Sequence, residues 1–197
     1  MKKLLIIALI VLSGCAGQKD YIAPEDLQLR AVNLYQQVHK CIRPTQNTPL
    51  YLSPEKEPNA FLSEDGIVVT EGMFAFDDNT IRFVLAHEIA HEKLNHAQAR
   101  QGVSWGVTGA MMIVNVVVPG AGLLNHVVNP AITNNYSKKQ ETEADVAAYR
   151  ACLCMGMTKE EVIQSLRSIE AATEDGGGFW DKHPSWNDRI KSINEAP

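Results

Sequence analysis

The chain has 197 residues, enough for one compact domain with a substantial core and too few for two once a leader is removed. Apolar residues make up 45%, charged residues 21%, and the formal net charge is -5. That balance excludes a highly charged unfolded chain and a polyanion-binding surface, so nucleic acid is not an expected partner.

The chain opens with a short basic region, Met1-Lys2-Lys3. The apolar stretch Leu4 to Leu12 follows, too short to span a bilayer comfortably, and then Leu12-Ser13-Gly14-Cys15. Residues 1–14 read as a secretory leader. Its end resembles the lipobox of bacterial lipoproteins, in which the cysteine is acylated and becomes the first residue after cleavage. That resemblance makes Cys15 the expected membrane anchor and residues 15–23 the acylated cysteine and tether, stably held by more than one acyl chain. Ala16 in place of Asp points, by analogy with lipoprotein sorting, to the periplasmic side of the outer membrane. An ordinary signal peptide with an incidental cysteine, or a buried N-terminal helix, is the competing reading. In that oxidising compartment Cys41 can pair with Cys152 or Cys154, or all can remain buried thiols. A bond between Cys152 and Cys154 is sterically poor, because residues two apart on a helix point to different faces.

The domain is expected over 24–197. Pro24, Glu25 and Asp26 suit a helix first turn, and Leu27, Ala31, Leu34, Val38 and Ile42 recur at helical spacing, predicting a helix to about Cys41. Pro44, Pro49, Pro54 and Pro58 then punctuate a loop-rich stretch with a short strand at Leu50 to Leu52. Asn59 to Leu62 and Ile67 to Thr70 read as strands joined across Glu64-Asp65-Gly66. Asp78 or Asn79 can cap a long helix from Thr80 to about Arg100. The apolar runs 102–118 and 121–132, separated by Pro119-Gly120, predict a helical hairpin in the core. Membrane contact or a cover over the site is the alternative, although Asn115, Asn125 and His126 interrupt runs already short for spanning. Gln140 to Met155 reads as a helix stopped by Gly156, and Thr158 with Glu161 is a capping-box signature for the next, to about Ala172. After Gly176-Gly177-Gly178, Ser185 or a neighbour starts a short last helix carrying Arg189, Ile190 and Ile193. The fold class is α+β, mainly helical, with a small sheet.

His87-Glu88-Ile89-Ala90-His91 lies inside the long predicted helix. Two imidazoles four residues apart share a face and can reach one metal, with Glu88 beside them to handle a water; this is the HExxH pattern of zinc peptidases. A catalytic zinc usually takes a third protein ligand and keeps one position open. His96 does not match the spacing of an extended three-histidine motif and reads as a surface or structural residue. Glu141-Thr142-Glu143-Ala144-Asp145 fits better. On a helix Glu141 and Asp145 share a face, so Glu141 can ligate while Asp145 hydrogen-bonds a ligand imidazole. Glu143 points elsewhere and is a lesser alternative ligand. Without the upstream HExxH, the same segment would read as a solvated acidic face opening a helix.

With these residues, the chain resembles the M48 family of gluzincin peptidases. The resemblance runs from Asn59-Ala60-Phe61 through Gly66 to Gly72, the HExxH motif and Ser137 to Asp145, to His183-Pro184 and Arg189. Lys138 stands where many members have Arg, which puts a local ion pair in doubt. The resemblance implies a gluzincin-like zinc peptidase domain built around the HExxH helix, with one Zn2+ per chain held by His87, His91 and Glu141. It also implies an edge strand at Gly66 to Thr70 for pairing an extended substrate. His183 is expected near the metal, sharing the oxyanion or filling the open position in a resting state, with Arg189 supporting that wall.

The expected activity is a zinc-dependent endopeptidase acting on unfolded or misassembled envelope proteins, in which Glu88 takes the proton of a zinc-activated water. The alternative is a latent or inactive peptidase acting as a chaperone-like binding lipoprotein. Expected partners are polypeptide substrates, the membrane through the lipid anchor, and outer-membrane assembly factors.

Overall fold

A computed structural model describes residues 23–44, 48–63, 66–96, 112–118, 122–128, 136–173 and 185–197, with backbone only for 112–118 and 122–128. The leader, Cys15, the tether, Glu64-Asp65, the triple glycine and His183 lie outside the described residues. Five α-helices and five strands are described: α1 Glu25–Ile42, β1 Leu50–Ser53, β2 Ala60–Leu62, β3 Ile67–Thr70, α2 Asp78–Lys93, β4 Met112–Val118, β5 Gly122–Val128, α3 Lys138–Cys154, α4 Lys159–Thr173 and α5 Trp186–Glu195. Among the described residues no helix is long and apolar enough to cross a membrane.

The sheet runs in the order β2-β3-β1-β4-β5. β1 and β3 are parallel, with Tyr51 opposite Val68, while β2 pairs antiparallel with β3 and β4 antiparallel with β1. Two expectations are corrected here. The apolar runs of 102–132 do not form a helical hairpin over 112–128. They form the antiparallel pair β4–β5, with Val114 opposite His126 and Asn115 opposite Asn125. Short apolar runs fit a buried helix or a buried strand equally by periodicity, and valine enrichment around Pro119-Gly120 favours the strand. The segment Gly66 to Thr70 is not an edge either. β3 is paired on both sides, and the terminal strands of the described sheet are β2 and β5. What admits β1 beside β3 is Gly66, at φ 154, where a Cβ would collide with the carbonyl of Pro49. The amide of Ile67 donates to that same carbonyl at 2.9 Å.

α2 is the central helix. Every residue from Phe83 to His91 is buried, as expected for a helix packed on all sides rather than on one stripe. It contacts α1, α3, α4 and β2. Each fully buried Phe83, Leu85 or Ile89 contributes about 1.5–3 kcal/mol. Its N-cap is Asp77 rather than Asp78 or Asn79, because the Asp77 carboxylate accepts from the amide of Thr80 at 2.7 Å. It ends at Lys93, short of Arg100. Asn95 takes φ 56, and the amides of Asn95 and His96 donate to the carbonyls of Glu92 and His91. This is a Schellman turn with asparagine in the left-handed position.

α1 turns Ala31, Leu34, Tyr35, Val38 and Ile42 into the core and stops at Arg43, which adopts φ 50 before Pro44. α3 starts two residues before Gln140, because Ser137 and Gln140 form a capping box. A disulfide joins Cys41 at the end of α1 to Cys154 at the end of α3. Cys152 stays a buried thiol whose pKa burial pushes up to about 12. α4 opens on the reciprocal Thr158 and Glu161 bonds, and Ser185 caps α5 through the amide of Asp188.

Candidate metal centre

α3 packs against α2 along a stripe of Glu141, Ala144, Asp145, Ala148, Tyr149, Ala151 and Cys152, all buried. The alanines permit close approach of the two helices, while Glu141 and Asp145 bring carboxylates into the seam. Buried carboxylates cost several kcal/mol each unless paired or bound to a cation, so each demands a partner.

Those partners come from α2 and α5. His87 Nε2 and His91 Nε2 lie 3.1 Å apart. Glu141 Oε2 is 3.4 Å from His87 Nε2, and Oε1 is 3.7 Å from His91 Nε2. Donors set tetrahedrally at about 2.0–2.1 Å from a zinc ion are separated by about 3.3 Å, so this trio has the spacing of a metal-ligand set. His87, His91 and Glu141 offer one ligand atom each within 4.8 Å of one another, all from buried residues. The group is a site for a metal ion.

Behind His87, Nδ1 lies 3.0 Å from Asp145 Oδ1. Arg189, 2% exposed, reaches in from α5 and donates to Asp145 from Nη2 at 2.7 Å and from Nε at 3.0 Å. Its guanidinium lies over the rings of Trp186 and Phe83. Burial alone would raise the Asp145 pKa, but the charge and hydrogen bonds of Arg189 with His87 bring it down to about 2. For His87, burial opposes the charged imidazole, yet the hydrogen bonds it donates to Asp145 and Glu141 prevail and lift its pKa to about 9. Burial lifts Glu88 to about 7, with Glu141 adding to the rise and His87 opposing it. Among the described residues, the buried carboxylates Glu88, Glu141 and Asp145 of this cluster outnumber its buried guanidinium, Arg189.

Glu88 Oε2 accepts from the backbone amide of Leu62 at 3.0 Å, which ties the motif to β2. Glu88 Oε1 has no hydrogen-bond partner among the described residues.

The structure therefore brings Glu88, Asp145 and Arg189 around the His87, His91 and Glu141 trio. Arg189 sits behind Asp145 at the Nδ1 edge of His87, whereas Cys15 and His183 lie outside the described residues. Two expectations change. Glu143 is no ligand: two residues on from Glu141, it points off the seam, 44% exposed, and pairs with His96 and Lys139. Of the two readings of His96, surface or structural, only the second remains: it is buried, with Nδ1 3.0 Å from His91 Nδ1. Tyr136, unremarked in the sequence, stacks on the His91 ring at 3.5 Å between centroids. Its one local signal is an aromatic residue directly before the Ser137 cap.

A family model described as Peptidase family M48 matches residues 28–196. Over 159 residues the chain is 26% identical to the metalloprotease YcaL of Escherichia coli (strain K12), covering 76% of this chain and 61% of that protein. Over 154 residues it is 27% identical to the mitochondrial metalloendopeptidase OMA1 of Schizosaccharomyces pombe (strain 972 / ATCC 24843), covering 74% of this chain and 45% of that protein. The chain thus spans less than two thirds of either relative.

Proposed function

From the premise that this chain belongs to peptidase family M48, we propose that it is a zinc-dependent endopeptidase cleaving unfolded or misassembled envelope proteins. The observation that carries this reading is the trio His87, His91 and Glu141, at ligand spacing, with Glu88 on the same buried helix. When bound, zinc supplies Lewis acidity, polarising a carbonyl and bringing the pKa of a water to about 7.

The chain's own residues do the rest. Glu88 is the proton carrier. Leu62 holds Oε2, and Oε1 remains to take a proton from the attacking water and return it to the leaving amine. Asp145 fixes the tautomer and plane of His87, and Arg189 fixes Asp145; both are positioning residues. His183 is assigned the oxyanion by family resemblance. An extended polypeptide is the substrate that the family resemblance implies, and β2, which lies at one end of the sheet order and is bonded to Glu88 through the Leu62 amide, is the strand nearest the motif.

The leader-like start and Cys15 support a lipid-anchored protein on the periplasmic side of the outer membrane, with outer-membrane assembly factors as candidate partners. Metal content and casein cleavage of the purified chain, beside its Glu88→Gln variant, test the reading. Stoichiometric zinc in both, with chelator-sensitive cleavage only in the parent, is expected, and His87→Ala should lose the metal. Equal cleavage by Glu88→Gln would sink the mechanism, and zinc in both with cleavage in neither would point to a latent or client-binding protein.

A further inference from the structure

A metal-ligating imidazole binds through one ring nitrogen, and whatever bonds the other nitrogen sets its tautomer and ring plane. Both ligand histidines turn Nε2 toward the cluster, so their orienting partners lie at Nδ1. At His87 that partner is the Asp145 carboxylate, backed by Arg189. At His91 it is another imidazole, His96, Nδ1 to Nδ1 at 3.0 Å.

The contact is built by the turn that ends α2. Asn95 in the left-handed region and the amide of His96 bonded to the carbonyl of His91 at 2.9 Å fold the chain back on itself. The His96 ring then stands edge-on to His91, with centroids 5.1 Å apart and planes at 66°. Tyr136 closes the face of His91 at an interplanar angle of 13°. On the far side, His96 Nε2 lies 3.3 Å from Glu143 Oε2. With His91 Nε2 committed to a cation, neutral imidazoles have one consistent order of donors. His91 Nδ1–H donates to His96 Nδ1, and His96 Nε2–H donates to Glu143.

We infer that His96 is the positioning residue for His91, holding its imidazole in the ligating orientation, and that Glu143 fixes the tautomer of His96. The two ligand histidines are thus supported by unlike chains: Asp145 and Arg189, both buried, behind His87, and a relay behind His91 that ends at the half-exposed Glu143 beside Lys139. The inference rests on the reading of His87, His91 and Glu141 as a metal site.

The test is zinc affinity of the full chain, measured by competition with a chromophoric chelator, together with the visible spectrum of the cobalt-loaded protein. His96→Phe keeps the ring volume and removes the acceptor. Its dissociation constant for zinc should rise about 10–100-fold and its cobalt spectrum should change, while thermal unfolding of the metal-free protein stays close to the parent. His96→Asn places an acceptor oxygen near the Nδ1 position and should recover most of the loss. Parent-like affinity in His96→Phe, or no recovery in His96→Asn, overturns the inference. Should His96→Phe fail to fold, the half-exposed Glu143 carries the test. Glu143→Ala should weaken zinc binding and Glu143→Gln, whose carbonyl still accepts, should weaken it less; parent-like affinity in Glu143→Ala overturns the inference. A parent chain that binds no divalent ion overturns the metal reading and this inference together, which separates the two failures.

Discussion

On the helical side of the molecule, α2, α3 and α5 bury Glu88, Glu141, Asp145 and Arg189 within reach of two ligand imidazoles. On the sheet side, among β1, β2 and β3, whose side chains are described, the fully buried polar residues are Ser53 and Thr70, neutral hydroxyls bonded to the backbone. Hydroxyls satisfied in this way cost little. Buried ions cost several kcal/mol apiece, and well-packed apolar replacements for a buried ion pair are often neutral or stabilising. Stability therefore accounts for the sheet side but not for the helical side, where the arrangement is explained by what it holds.

The sharpest way to break this contrast is to remove one buried ion and then both. Arg189→Met should destabilise the chain by about 3–5 kcal/mol, because Asp145 is left as an uncompensated buried charge. Adding Asp145→Asn should restore most of that loss while leaving His87 an acceptor. Urea unfolding in excess chelator, which keeps the metal out of the comparison, gives both numbers. A small loss in the single variant would erase the distinction between the two sides.

The pH dependence follows from the same groups. Asp145 is held near 2 when folded, against about 3.9 when unfolded. Its contribution is present above the unfolded value and is lost as pH falls through 3.9 toward 2, so the gap between parent and Arg189→Met should close over that window. His87 is shifted the other way, to about 9, from about 6.5. Its contribution is full below 6.5 and disappears as pH rises through 9, so the chelated chain should weaken across that range. Added zinc should offset the weakening, because metal binding requires the deprotonated ring. A flat stability profile between pH 6.5 and 9 in chelator would contradict this reading.

The disulfide reinforces the helical side from outside the site. Cys41 and Cys154 lie 113 residues apart in the chain and clamp the ends of α1 and α3. Replacing both with serine should cost about 2–4 kcal/mol through the unfolded state. Metal affinity should hardly change, since neither cysteine touches the cluster. Zinc lost in parallel with stability would mean that α3 depends on the clamp for its register against α2.

What the sequence made legible was local. Two histidines four apart on a helix, and Glu141 with Asp145 four apart on another, share a face by helical geometry alone, so the pairs could be read before any tertiary contact was known. The capping signals at Thr158 with Glu161 and at Ser185 were equally local. The position of His96 was not legible, because it depends on Asn95 entering the left-handed region and on α3 arriving opposite. The edge at Gly66 to Thr70 was an implication of the family resemblance, and no local pattern corrects it, because β1 joins β3 from a proline-rich stretch through parallel pairing. The β4–β5 pair was read as helical because an apolar run of that length carries no decisive period.

The smallest effect is expected on the sheet side, and it completes the comparison. The Thr70 hydroxyl donates to the carbonyl of Glu57 at 2.7 Å and accepts from the amide of Asn59 at 2.8 Å, which fixes the start of β2 against β3. Thr70→Val keeps the side-chain shape but leaves both backbone groups without that partner, at a cost of about 1–3 kcal/mol. Thr70→Ser keeps the hydroxyl and should lose only the methyl, about 0.8 kcal/mol. Neither change reaches His87, His91 or Glu141, so zinc affinity should match the parent in both variants while it falls in Arg189→Met. If Thr70→Val weakened zinc binding as well, the sheet could not be a neutral frame, and the bond from Leu62 to Glu88 would be the path by which β2 acts on the metal ligands.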